Sequence, residues 1–353
     1  MNTTTLLKEF LYSRYDVSEF PALDDQITCW QKSAPLSGVK ILDATPVFFN
    51  TGLKYLALLA AGAELTVSAH PELPSDENAV KFFRECGINV VTTGVFDEEF
   101  DCICDCAGMH KSVPSRHGIV ELTGSGAHAY LNWSAPVFLA DGGRVKVLET
   151  GLGTGNGLLR ALEKLQYPAL TDRNVLIFGG GKVGSGVALA LGGAGAACTI
   201  VDHPNSVRCK SKSVSVTDIN DTDTIRKNIS ESWAVVTATG VKNAVASFHN
   251  ELKNSSAILI NIGVEDEYGS DVPATRVLNA KQPLNFILDE PTLLRYIDPT
   301  MALSNLGVIE LLNKKCANGL NYPPEELENR LLELVKSGAA APDIPKLEEF
   351  YYD

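Results

Sequence analysis

The hydrophobic pattern switches between two periods along most of the chain. Thr4–Tyr15 carries apolar residues at helical spacing, and a polar, proline-containing connection is expected from there to Pro35. Short apolar runs at Val39–Leu42, Leu65–Ser68, Val90–Val91 and Cys102–Asp105 read as strands, with helices predicted between them at Gly52–Ala61 and Asp76–Cys86. Strand and helix in alternation, joined by short Gly/Pro turns, predict a parallel sheet with helices on both faces. Residues 35 to about 140 are therefore expected to form a first α/β domain. Gly153–Leu165 reads as a helix leading out of it, with Pro168 marking a break. Asn174–Phe178, Cys198–Val201, Ala234–Thr237 and Ala257–Ile262 read as strands of a second unit. Met301–Leu312 is a long apolar helix suited to carry the chain back to the first domain, and Pro324–Ser337 is a further helix.

The second unit holds the most specific signal. After the strand at Asn174–Phe178, Gly179, Gly181 and Gly184 give G-x-G-x-x-G, Ser185–Leu191 continues as a small-residue helix, and the next strand ends at Asp202. Each part has a physical task. Gly179 allows the tight turn and Gly181 lets the backbone approach a pyrophosphate. Gly184 lets helix and strand pack closely, while the helix N-terminus offers N–H groups and a positive dipole end. Asp202 stands at the spacing from which a carboxylate accepts hydrogen bonds from a ribose 2′-hydroxyl. No arginine directly follows it to receive a 2′-phosphate, so NAD is expected rather than NADP. The fold class expected is α/β with two Rossmann-like domains. A doubly wound parallel-sheet nucleotide-binding domain of residues 151–299 is inserted into a substrate domain of residues 1–150 and 300–330. Residues 331–353 are expected as a C-terminal tail. Open α/β sheets bind ligands at the carboxyl ends of their strands, which puts a small-molecule site in the cleft expected between two such domains.

Composition narrows the partners. The chain has 353 residues, 45% apolar and 21% charged, in the range of a soluble globular protein. A net charge of −13 argues against nucleic acid and against an anionic membrane surface as partners. The longest apolar stretch, Tyr55–Ala63, is too short to cross a bilayer, and the start has neither a basic nor an apolar signal region. Eight cysteines in a chain of this size are expected to be reduced thiols in a cytoplasm.

Further segments carry a resemblance. Pro35-Leu-Ser-Gly-Val-Lys-Ile41, Ala60-Ala-Gly-Ala-Glu64, Glu85-Cys-Gly-Ile-Asn-Val90, Gly118-Ile-Val-Glu-Leu-Thr-Gly-Ser-Gly126, Val236-Thr-Ala-Thr-Gly240, Asn261-Ile-Gly263 and Pro299-Thr-Met-Ala-Leu-Ser-Asn305 resemble segments of S-adenosylhomocysteine hydrolase over nearly the whole chain. The resemblance implies tightly held NAD. It places Gly179, Gly181, Lys182, Val183, Gly184, Asp202, Thr237, Thr239, Gly240, Ile262, Gly263, Thr123, Ser125 and Thr150 at the cofactor. It also implies a homo-oligomer, dimer or tetramer, whose neighbouring subunit closes the site with a tail; Lys346 and Tyr351-Tyr352 are similar to that tail in composition.

That family oxidises a ribose 3′-hydroxyl with its own NAD, eliminates homocysteine, adds water and reduces the ketone again, using several placed acids and bases. Most of those proton-moving residues differ here. Phe48-Phe-Asn50 stands for the family's Thr-x-Glu, Leu122 for a glutamate, Cys106 for an aspartate, Val145 for the catalytic lysine, Thr154 for a cysteine and Val264 for a histidine. The ionisable residues nearest the family's proton carriers are Lys146, Glu149 and Asp298, with His128 as a further candidate. A Lys–carboxylate pair can act as acid and base or form an ordinary salt bridge.

The expected function is NAD-dependent hydride transfer on a small polar metabolite, with NAD either consumed or regenerated. The alternatives are an S-adenosylhomocysteine hydrolase with a rebuilt pocket, and a catalytically silent NAD-binding regulatory protein. Cys102-Ile-Cys-Asp-Cys106 puts three thiols on one strand face, expected to be buried packing; with no Cys/His pair at zinc spacing nearby, no metal is expected. His110, in a turn, is expected to be solvated, and Gly151-Leu-Gly-Thr-Gly155 is expected to be a hinge before a helix.

Overall fold

The computed structural model describes residues 3–92, 94–167 and 169–352, so Pro168 lies outside the described residues. The chain divides into two units: residues up to Lys146 with Ile297–Ile344, and Val147–Tyr296 with the residues from Pro345 on. In chain order the first contains α1 (Thr3–Arg14), α2 (Pro21–Ser33), β1 (Lys40–Asp43), α3 (Thr51–Ala60), β2 (Glu64–Ser68), α4 (Glu77–Glu85), β3 (Asn89–Val91), β4 (Phe100–Asp105), β5 (Ser115–Glu121), α5 (Gly124–Ala129), β6 (Pro136–Leu139) and α6 (Gly143–Lys146). The second runs from a π-helical turn at Val147–Gly153 through α7 (Thr154–Lys164), β7 (Asn174–Phe178), α8 (Lys182–Gly193), β8 (Ala197–Asp202), β9 (Ser215–Asp218), α9 (Thr222–Glu231), β10 (Ala234–Thr237), α10 (His249–Asn254) and β11 (Ile258–Asn261). Then follow α11 (Leu294–Leu312), β12 (Gly319–Asn321) and α12 (Glu325–Val335).

Both sheets are parallel throughout, in the orders β12-β6-β5-β4-β1-β2-β3 and β11-β10-β7-β8-β9. Strands β5, β6, β9 and β12 add to those the hydrophobic pattern predicts. In the second sheet alternate residues feed opposite layers. Val175, Ile177 and Ile200 point into one core cluster, while Leu176, Phe178, Val201, Val235 and Leu259 point into another. Burial on both faces is why these strands read as continuous apolar runs. The strand order reverses between β7 and β10, the kind of switch point at whose carboxyl strand ends open α/β sheets bind their ligands.

Two expectations are corrected by the fold. The connection expected from residue 16 to Pro35 contains helix α2, in which Pro21 occupies the first turn and Leu23 and Ile27 are buried. Proline at the first helical position lacks only an N–H that has no intrahelical partner anyway, so it starts this helix rather than breaking it. Helix α11 likewise begins before Met301 and contains Pro299. Among the described residues no helix is long and apolar enough to cross a membrane.

Candidate functional site

The glycine-rich turn of the second unit has three glycines in three different environments. Gly179 has φ +101°, and a Cβ there would lie 2.6 Å from the Ala238 carbonyl oxygen at the end of β10. A Cβ on Gly184 would lie 1.9 Å from the Gly179 carbonyl oxygen, so only a bare Cα allows α8 to pack on β7. Around Gly181 a Cβ would meet nothing within 4 Å. Gly181 is the N-cap of α8, makes no side-chain cap hydrogen bond, and has ordinary extended angles of φ −67° and ψ −166°. Neither strain nor crowding requires glycine there. The open space lies where a helix N-terminus presents its first N–H groups, those of Lys182 and Val183 among them.

Asp202, at the end of β8, holds the turn from its far side. One carboxylate oxygen accepts the Gly180 N–H and the other the His203 N–H, both at 2.7 Å. A carboxylate has about four lone-pair positions, so acceptor capacity remains for two ribose hydroxyls.

Across the switch point a buried polar hub fixes the ends of β10 and β11. Thr237 donates to Asn261 Oδ1 at 2.9 Å, Gly263 N donates to the same oxygen at 3.1 Å, and Asn261 Nδ2 donates to the carbonyls of Gly263, Glu265 and Lys281. Ile262 N donates to Thr237 O at 2.9 Å. The residue that governs this side is Glu267, which the sequence pattern does not single out. It is fully buried. Its carboxylate accepts Thr239 N at 2.9 Å, the Thr239 hydroxyl at 2.7 Å and Gly240 N at 2.7 Å. Burial raises its carboxyl above the ordinary value, and those same donors pull it back down. A Cβ on Gly263 would lie 1.8 Å from Glu267 Oε1. One carboxylate thus shapes both loops at the carboxyl end of the sheet.

Gly151–Gly155 proves to be helical throughout, as the end of the π-helical turn and the start of α7. A Cβ on Gly186 would lie 2.2 Å from the Gly151 carbonyl oxygen, and one on Gly155 would lie 2.6 Å from the Gly186 carbonyl oxygen. These glycines let α7 and α8 approach closely, and Thr150 and Glu149 lie in the same helical turn.

The first unit places the remaining candidates. Thr123 caps α5: its hydroxyl donates to Glu121 Oε1 at 2.7 Å and accepts Gly126 N at 3.0 Å, while Ser125 donates to it at 3.3 Å. Glu121 is fully buried and also accepts Ala107 N, Gly108 N and Thr123 N; burial pushes its carboxyl up to about 7. His110 is buried, which corrects the expectation that it is solvated. The turn after β4 folds back so that Asp105 accepts the His110 N–H, and the ring meets Ser68 Oγ at 3.0 Å. Cys102, Cys104 and Cys106 are buried and in no disulfide, and burial pushes Cys104 up to about 11. Among the described residues no group of three His, Cys, Asp or Glu is placed to hold a metal ion.

His128 is exposed on α5, and Lys146 is buried at the end of α6. Asp298 has a structural role. Fully buried, it accepts Ala22 N at 3.0 Å on one oxygen and Leu23 N at 2.9 Å on the other, capping the first turn of α2. Asp298→Ala is expected to lower stability by about 3 kcal/mol, because two buried N–H groups lose their acceptor; chemical denaturation measures it. Burial pushes the Asp298 carboxyl up to about 7, so the native state holds a proton that the unfolded chain releases near its ordinary value of 3.8. The sign follows: this group's contribution falls as pH rises from about 4 to 7, so the wild type should lose stability relative to Asp298→Asn across that window.

Residues 152–282 match the family model of the S-adenosyl-L-homocysteine hydrolase NAD-binding domain. The adenosylhomocysteinase of Thermococcus kodakarensis is 23% identical over 287 residues, 70% of this chain and 65% of that protein. The adenosylhomocysteinase of Thermoplasma acidophilum is 24% identical over 286 residues, 72% of this chain and 69% of that protein. The chain thus spans about two thirds of the length of the curated relatives it matches. Among solved structures, a dipicolinate synthase subunit from Bacillus halodurans is similar at a TM-score of 0.46 and 12% identity, covering 78% of this chain and 98% of that one. The matched NAD-binding model and the turn's geometry agree: the cofactor of the second unit is NAD, and the open face of Gly181 and the spare acceptors of Asp202 fit it.

Proposed function

We propose that this chain is a divergent S-adenosylhomocysteine hydrolase-like protein that moves a hydride between NAD and a small polar metabolite. The observation that carries the proposal is the open approach to Gly181 under the N-terminus of α8, with Asp202 on one side and the Glu267-held loop on the other. When bound there, NAD supplies the hydride acceptor or donor. Gly181 and the first turn of α8 would hold its pyrophosphate, and Asp202 would hold the adenosine ribose. The loops at Thr239–Gly240 and Ile262–Gly263, kept rigid by Glu267 and Asn261, would orient the nicotinamide half. Lys146, Glu149 and His128 are the groups proposed to carry a proton. Thr123, Ser125 and Thr150 are proposed as further cofactor contacts.

The first test is release of stoichiometric dinucleotide on denaturation, read by mass spectrometry, or saturable binding of added NADH. The second is incubation with S-adenosylhomocysteine. Hydride exchange with a metabolite panel and no adenosine release are expected; adenosine formed at an enzymatic rate would instead support a hydrolase with a rebuilt pocket. The role of Asp298 favours a second reading. A carboxylate expected to move protons is committed instead to capping a helix, as it would be in an NAD-binding protein that has no turnover. NAD bound without hydride exchange to any metabolite would support that reading.

A further inference from the structure

The residues that follow Ile344 pack within the second unit through their backbone and through one ring. Phe350 is fully buried. Its backbone pairs antiparallel with that of Cys209, Lys210 N donates to Glu349 O at 2.8 Å, and Tyr351 N donates to Arg208 O at 2.7 Å. Lys210 Nζ lies over the Tyr351 ring, 5.1 Å from its centre, and the Tyr352 hydroxyl donates to Leu347 O at 2.6 Å. Lys346 and Glu349 line a groove with Ala188, Leu189, Gly192 and Gly193 of α8.

This segment reaches the glycine-rich turn from two directions. On one side, Arg208 N donates to Gly180 O at 2.8 Å, and Val207 Cγ2 would lie 2.8 Å from a Cβ on Gly180. The strand-like pairing with residues 349–351 therefore sits one hydrogen bond from the turn. On the other side, the Phe350 ring packs on Gly151: its Cζ would lie 3.2 Å from a Cβ there, as would the carbonyl oxygen of Lys182, the first residue of α8. Gly151 in turn lies against Gly186 on the same helix. The buried ring thus backs the wall behind the N-terminus of α8, and the backbone on either side of it pairs with the loop behind Gly180. No atom of the ring lies within 4 Å of where a Cβ on Gly181 would stand.

We propose that Phe350 is a positioning residue for the cofactor of its own chain, fixing the glycine-rich turn from behind. The proposal rests on the NAD-binding reading above. The turn's N–H groups contribute to binding only if they are held in place before the pyrophosphate arrives, and small displacements of a positioned group are costly. Removing the ring takes away that support while every cofactor-facing residue stays in place.

The test measures NADH affinity by fluorescence titration, and dissociation rate by competition, for wild type, Phe350→Ala and Phe350→Leu. It is run at a temperature where circular dichroism shows all three folded. Phe350→Ala is expected to weaken NADH binding by roughly tenfold, chiefly through faster dissociation, and Phe350→Leu, which keeps an apolar plug, to recover most of that loss. A ring that merely stabilises the fold would lower the melting temperature and leave both binding constants within about twofold of wild type, and that result overturns the proposal. Should Phe350→Ala fail to fold, Phe350→Leu and Phe350→Val decide: a graded loss of affinity with side-chain volume supports the proposal, and an unchanged affinity overturns it. A wild type that binds no NADH would defeat the cofactor reading itself, which is a different failure.

Discussion

Gly184→Ala is expected to destabilise the second unit and abolish cofactor binding together. Helix propensity alone would favour alanine by about 1 kcal/mol. Against this stands a Cβ placed 1.9 Å from the Gly179 carbonyl oxygen, which is backbone and cannot rotate away. The helix would have to lift from β7, and overpacking of this kind costs about 3 kcal/mol, which outweighs the propensity gain. For a unit of this size the net loss corresponds to a melting temperature lower by roughly 4–8 °C. Scanning calorimetry with NADH titration checks both parts; an unchanged melting temperature would show that α8 and β7 do not pack as described.

The second large effect is expected at Glu267. Glu267→Ala leaves the N–H groups of Thr239 and Gly240 without their buried acceptor, at a cost of about 3 kcal/mol. It also frees the loop that faces the proposed nicotinamide half, so NADH affinity should fall by about tenfold beyond any loss of folded protein. Glu267→Gln keeps the volume but turns an amide N–H₂ toward backbone donors, and should recover only part of the stability. Equal stability and affinity in wild type and Glu267→Ala would show that the hub is incidental.

Legibility in the sequence followed the range of the interactions involved. The run from Asn174 to Asp202 was readable because each part acts on its neighbours: Gly179 turns the chain, Gly184 meets a carbonyl five residues back, and Asp202 reaches Gly180. Glu267 leaves no local trace, because its partners lie 27 and 28 residues earlier and its burial is a property of the folded loops. Asp298 has the same difficulty in larger form, since its oxygens serve N–H groups 275 and 276 residues away. Helix α2 was hidden for another reason: Pro21 is a breaker inside a helix and a starter at its first position, and sequence spacing alone does not say which. His110 sits among turn residues, yet Asp105 and Ser68 draw it into the interior.

The most direct measurement of the central claim is NADH titration of wild type beside Gly181→Glu. Position 181 has ordinary backbone angles and no atom within 4 Å of a Cβ, so this substitution should leave the melting temperature within about 2 °C of wild type. It should reduce NADH affinity by at least about 100-fold, because the side chain fills the pyrophosphate's approach and puts a negative charge at the helix N-terminus that the phosphates need. Saturable binding to wild type and its loss in this folded variant is the result predicted here. Equal NADH affinity in the two proteins, or no binding by either, would contradict it.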